Sequence, residues 1–181
     1  TDADADGGGS NLVVDPSNRR WLYHGDGSPF FLCAPGDPED FLYRGERQAD
    51  GTRRGDQADI LDRLGPTGAN GLYFQVIRSH GGDGSSDHNP FEGSDPAAGL
   101  DEDILDQWEG WLDAMDGHGI VPFVFIYDDS ACIWGCSRGG DHDVPSEEQA
   151  FLEAIVNRFE HHPRLVWVIA EEYSEAFSSE R

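Results

Sequence analysis

A chain of 181 residues is long enough for one domain with a real core. Its 36 acidic residues against 12 basic ones leave a formal net charge of −24, and every basic residue is Arg. This balance excludes nucleic acid and an anionic membrane surface as partners, because no basic patch can offset their phosphates. No apolar run approaches the length of about 18 residues that membrane insertion needs.

The first ten residues, Thr1 to Ser10, alternate Asp with Ala and end in glycines, which reads as a flexible acidic linker ahead of one unit over residues 11–181. Asp2, Asp4, Asp6 and Gly7 match the first half of a calcium loop, but its twelfth position is Val13 instead of Glu, so that motif is rejected. Leu12–Val14, a turn at Asp15–Asn18, and Trp21–Tyr23 predict a β-hairpin. A turn at Gly25–Pro29 then leads into Phe30–Cys33, which predicts a short buried strand. Ile60, Leu61 and Leu64 have helical spacing, closed by Gly65-Pro66. Gly71–Ile77 predicts the next strand, tipped by Arg78-Ser79-His80.

A long Gly/Asp/Ser loop follows, before a helix from about Asp101 whose buried face is Ile104, Leu105, Trp108, Trp111, Leu112 and Met115, with Gly117 and Gly119 as stops. Val121–Tyr127 predicts the third strand, tipped by Asp128-Asp129. Ser146 with Gln149 reads as a capping box for a helix with the stripe Phe151, Leu152, Ile155, Val156 and Phe159. The run Leu165–Ala170, six apolar residues rich in β-branched and aromatic types, predicts a parallel strand buried on both faces and ending in Glu171-Glu172-Tyr173.

Strand and helix therefore alternate, with long polar loops after the strand tips and short returns. That is the pattern of an α/β (β/α)8 TIM barrel, whose site is built at the C-terminal ends of its strands. A doubly wound sheet has the same alternation, but no Gly-rich dinucleotide or phosphate loop occurs here. A complete barrel needs roughly 250 residues. The chain is therefore expected to be the N-terminal half of a barrel, truncated after about strand four. Cys33, Cys132 and Cys136 are an odd count. The last two, beside Asp141, His142 and Asp143, lack a standard zinc spacing and are read as thiols or a local disulfide, so no metal and no cofactor is expected. His161 and His162 fall in a helix-to-strand turn and are given no role.

Gly27-Ser28-Pro29-Phe30-Phe31-Leu32 resembles the G-(K/S)-P-F-F opening of clan A glycoside hydrolases of the cellulase-like and apiosidase-like kind, and Arg19–Tyr23 resembles their N-terminal hairpin. Gly68–Tyr73 resembles their G-x-N-x-(I/V) entry to strand two, and Gly117–Ile120 their entry to strand three. Val166–Glu172 resembles the W-x-(I/L)-x-N-E end of strand four. The resemblance implies hydrolysis of O-glycosidic bonds in a poly- or oligosaccharide, with Glu172 as general acid/base.

Glu171 stands where the family has the Asn that contacts the sugar 2-hydroxyl. The nucleophile belongs to strand seven, so this fragment alone is expected to be inactive without its missing C-terminal half. Two adjacent carboxylates on a continuing strand point to opposite faces, so Glu171 and Glu172 cannot form the catalytic pair; Glu171 should turn away or line the rim.

Around them, His80, Asp128, Asp129 and Asp37 are candidates for sugar hydroxyls or else ordinary loop polar groups. Arg78 is a candidate to hold a carboxylate ionised, Trp134 to stack on a pyranose or pack in a loop, and Tyr173 to tune Glu172. The alternative function is a non-catalytic carbohydrate-binding or surface barrel, which the Glu171 departure favours. The Lys-free, Asp-rich surface resembles proteins of salt-loving archaea, and the Thr1–Ser10 linker is of the kind left when a signal or lipid-anchor segment is removed. The expected location is therefore extracellular or at the cell surface of a halophile, with a cytoplasmic one as the alternative.

Overall fold

The computed structural model describes residues 11–36, 38–78, 88–128, 133–134 and 144–171. Strands β1 (Leu12–Val14) and β2 (Leu22–His24) form the expected antiparallel hairpin, with Val13 opposite Tyr23. A second, two-residue hairpin joins β3 (Glu46–Arg47) to β4 (Arg53–Arg54). Three parallel strands then carry the domain: β5 (Gly71–Ile77), β6 (Val121–Tyr127) and β7 (Val166–Ala170), hydrogen-bonded in chain order. Phe74 lies opposite Val124, and Val124 opposite Trp167.

Helix α1 (Gln57–Leu64) precedes β5, α2 (Glu102–His118) precedes β6, and α3 (Ser146–Phe159) precedes β7. One face of the sheet presents Phe74, Val76 and Val124 to Trp108 and Leu112 of α2, Phe159 of α3 and Leu42. These side chains are all nearly fully buried. On the opposite face Tyr73, Phe123, Phe125, Val166 and Val168 are only half-buried, and Tyr73 and Phe125 touch ring to ring at 5.7 Å. This is a segment of barrel wall, closed on its helical side.

Three expectations are corrected. Residues Phe30–Cys33 form no strand of the sheet: Pro29 makes one isolated antiparallel bridge to Tyr23, and Phe31 is 82% exposed. The segment is held at intervals instead. Asn70 Nδ2 donates to the Phe31 carbonyl at 2.8 Å, and its Oδ1 accepts from the Cys33 N–H at 2.7 Å. Asn70 N–H bonds the Cys33 carbonyl at 2.9 Å and Gln75 N–H bonds that of Glu39 at 3.3 Å. The chain thus runs parallel to β5 with one extra residue between these contacts, which breaks a regular ladder.

The second correction concerns β7, which is not buried on both faces: Ile169 is 67% exposed. The third concerns the capping box of α3. Its N-cap is Pro145, and the Ser146 hydroxyl bonds the Glu147 carboxylate at 3.0 Å instead of a backbone N–H. In α2 the N-cap is Asp101, at the expected start of the helix, while Gly117 continues the helix and only Gly119, at φ 73°, ends it.

Candidate functional site at the strand tips

The C-terminal ends of β5, β6 and β7 lie side by side, so residues just past them converge. Two backbone bonds extend the ladder beyond the strands: Asp128 N–H to the Ile77 carbonyl and Glu171 N–H to that of Tyr127, both at 3.1 Å. Asp128 is buried at the tip of β6. Arg78, at the tip of β5, has a side chain only 3% exposed. Its guanidinium donates to Gln75 Oε1 at 2.8 Å and lies 3.3 Å from Glu39 Oε2.

Gln75 Nε2 in turn donates to Glu171 Oε2. The result is a row, Glu39–Arg78–Gln75–Glu171, that crosses from the segment beside β5 to the end of β7. The Gln75 amide can face only one way in it, because a flip would set its NH2 against the guanidinium and its oxygen against the carboxylate.

The backbone of Arg78 is held from outside the sheet. Its N–H bonds the His88 carbonyl at 2.9 Å. The buried His88 ring stacks on Tyr43 at 4.9 Å, and the Tyr43 hydroxyl bonds the Val76 carbonyl. On the α3 side, Tyr127 donates to Glu148 Oε1 at 2.8 Å. Trp134 packs against Phe151 at 5.1 Å and edge-on to Phe91 at 5.6 Å. Trp134 therefore sits in an aromatic cluster with α3, whereas Arg78 and Glu171 are joined through Gln75.

The Glu171 carboxylate, expected to turn away or line the rim, bonds Gln75. Asp37, His80, Asp129, Glu172, Tyr173, Cys132 and Cys136 lie outside the described residues. The sequence reading missed Gln75 and Glu39. Gln75 carried a signal, as the one polar residue inside the apolar run Gly71–Ile77; Glu39 carried none, since it sits in an acidic loop. Chemically the row is a preorganised set of donors and acceptors beside two carboxylates, of the kind that orients polar ligands at a strand-tip mouth.

No protein-family model matches the chain, and no curated protein matches it. Among solved structures it is similar to a candidate glycoside hydrolase of Bacteroides vulgatus, at 16% identity and a TM-score of 0.62, over 98% of this chain and 35% of that one. It is similar to a glycoside hydrolase family 5 protein of the same organism, at 16% identity and a TM-score of 0.56, over 92% of this chain and 35% of that one. A β-1,4-D-mannanase from Cryptopygus antarcticus is matched at 15% identity and a TM-score of 0.52, over 90% of this chain and 42% of the mannanase. The chain thus spans well under half the length of each. Its three parallel strands and their helices have the fold of part of a (β/α)8-barrel glycosidase.

Proposed function

We propose that this chain belongs to a glycoside hydrolase and contributes its general acid/base, Glu172, at the mouth of the barrel. The observation that carries the reading is the row Arg78–Gln75–Glu171 at the parallel strand tips, its first two members buried, in a fold shared with glycosidases. In this reading Glu172 protonates the glycosidic oxygen as a carboxylate from strand seven of the complete barrel attacks the anomeric carbon. Glu172 then takes a proton from the water that cleaves the glycosyl–enzyme bond. Arg78 favours the ionised form of that nucleophile by its charge, and Glu171, steadied by Gln75, contacts a sugar hydroxyl. His80, Asp37, Asp128, Asp129 and Tyr173 are proposed to line the substrate groove, while Trp134 packs behind it against Phe91 and Phe151.

The test is turnover of aryl glycosides by the complete barrel protein. Glu172→Gln should lower turnover of substrates with poor leaving groups by about 10²–10⁴-fold, the usual contribution of a positioned proton donor. Substrates with good leaving groups should suffer far less in the first step. Loss of activity in Glu171→Gln with Glu172→Gln intact would move the acid/base by one residue. A second reading, a carbohydrate-binding barrel without catalysis, is favoured by the Glu171 carboxylate being engaged by Gln75. Full sugar binding with no turnover in the unsubstituted protein would select it.

A further inference from the structure

At the opposite end of the sheet, two histidines in the turn between α3 and β7 meet an acid of α2. His161 Nε2 lies 2.8 Å from Glu109 Oε1, and His162 Nε2 lies 3.2 Å from the same oxygen. The three ligand atoms fall within 4.8 Å of one another. His162 is the informative member, with a side chain only 1% exposed and Nδ1 2.7 Å from Asp116 Oδ2. Asp116 accepts a hydrogen from Nδ1, so Nε2 is the ring nitrogen that faces Glu109.

A positive charge placed between this nitrogen and the carboxylate oxygen 3.2 Å away would hold the two together. Nε2 makes no hydrogen bond among the described residues, so this buried nitrogen is aimed into the Glu109–His161 cluster without a partner of its own. Glu109 keeps Oε1 for the histidines, since its other oxygen takes the Arg158 Nε at 3.3 Å. Asp116 is braced likewise by Arg164, which bonds its carbonyl and lies 3.4 Å from its Oδ1.

We propose that Glu109, His161 and His162 form a structural site for a divalent transition-metal ion of the zinc class, with water completing the coordination. Two imidazoles and one carboxylate suit that class; calcium and magnesium prefer oxygen ligands alone. Asp116 plays the part that orients a ligating histidine through its second nitrogen. The ion would clamp α2 to the turn that feeds β7. This end of the sheet is remote from the strand tips, so the site is independent of the glycosidase reading.

The experiment titrates Zn²⁺ into the chelator-treated chain in molar KCl with excess Mg²⁺, which saturates ordinary surface carboxylates. It is run beside His161→Ala, whose side chain is 60% exposed and whose loss leaves the core intact. The unsubstituted chain should bind one more equivalent than the variant, and Zn²⁺ should raise its melting temperature more. Asp116→Asn should weaken that extra site by about 10- to 100-fold, as loss of such an orienting partner does. Any cysteine site is common to all these proteins and cancels. Equal stoichiometry and equal thermal shifts in the chain and in His161→Ala would overturn the proposal. Should circular dichroism show the variant unfolded, Glu109→Gln is judged by the same difference.

Discussion

Gln75 lies in the middle of β5 with 1% of its surface exposed, and a polar side chain so placed must spend its hydrogen bonds on protein. It gives its oxygen to Arg78 and its N–H to Glu171. Gln75→Leu keeps the volume and removes both, so it should destabilise the fold by about 1–3 kcal/mol, the cost of leaving a buried group unsatisfied. Urea unfolding measures this, and a change within experimental error would show that the row is not holding Arg78. Arg78 and Glu171 were readable in the sequence because position alone, just past a strand, marks them. Glu39 was not, because it reaches the site through the fold of an irregular segment that no periodicity describes.

The helices show how far local signals carry. Asp101, where the sequence reading starts the helix, accepts from Asp103 N–H at 3.1 Å and Ile104 N–H at 3.4 Å and so caps it. Asp101→Ala should cost about 1 kcal/mol. Ser146 presented an equally good local signal, yet the helix starts one residue earlier and its hydroxyl caps nothing. Ser146→Ala should therefore stay within about 0.5 kcal/mol of the parent. Thermal unfolding of the two variants side by side checks the contrast, and equal losses would contradict these cap assignments. β5, β6 and β7 were readable because their apolar runs are bounded by Gly, Pro or charged residues. Phe30–Cys33 misled because apolar character marks a segment fit for burial without saying whether neighbours exist to bury it. Among the described residues nothing covers Phe31.

Charge governs the whole molecule. A net charge of −24 on 181 residues opposes compaction until salt screens it; the Debye length falls from about 10 Å at 0.1 M to about 3 Å at 1 M. Circular dichroism followed against KCl should show structure gained toward molar salt, and a cooperative fold indifferent to salt would contradict this. Acid should act in two stages at low salt. From neutrality toward the isoelectric point near 4.2, falling charge relieves repulsion and stability rises.

Below that, a second set of groups takes over. The Arg44 guanidinium, 2.7 Å from Asp56 Oδ1, holds the Asp56 carboxyl below its ordinary value. Hydrogen bonds from Ser17, Ser28 and Thr52 do the same for Asp15, Asp26 and Asp50. A carboxyl with a depressed folded-state pKa contributes stability above its unfolded pKa and loses it as pH falls through the folded value. Stability should therefore pass through a maximum on the acid side and decline below the ordinary carboxylate range. Urea midpoints measured across pH 7 to 2 test it, a monotonic rise being the contrary result.

The order of the sheet has a consequence for how the molecule breathes. β6 is bonded on both sides, to β5 and to β7, whereas β7 is bonded to β6 alone among the described residues. Detaching β7 costs one ladder and leaves the β5–β6 pair intact; detaching β6 dissolves the sheet. Amide hydrogens of β6 should thus exchange with deuterium only at the free energy of global opening. Those of β7 exchange through a cheaper, partial one. The carboxylate of Glu171 rides on that end strand, so a partial opening of β7 should part it from Gln75 while Arg78, anchored through β5 and His88, stays in place.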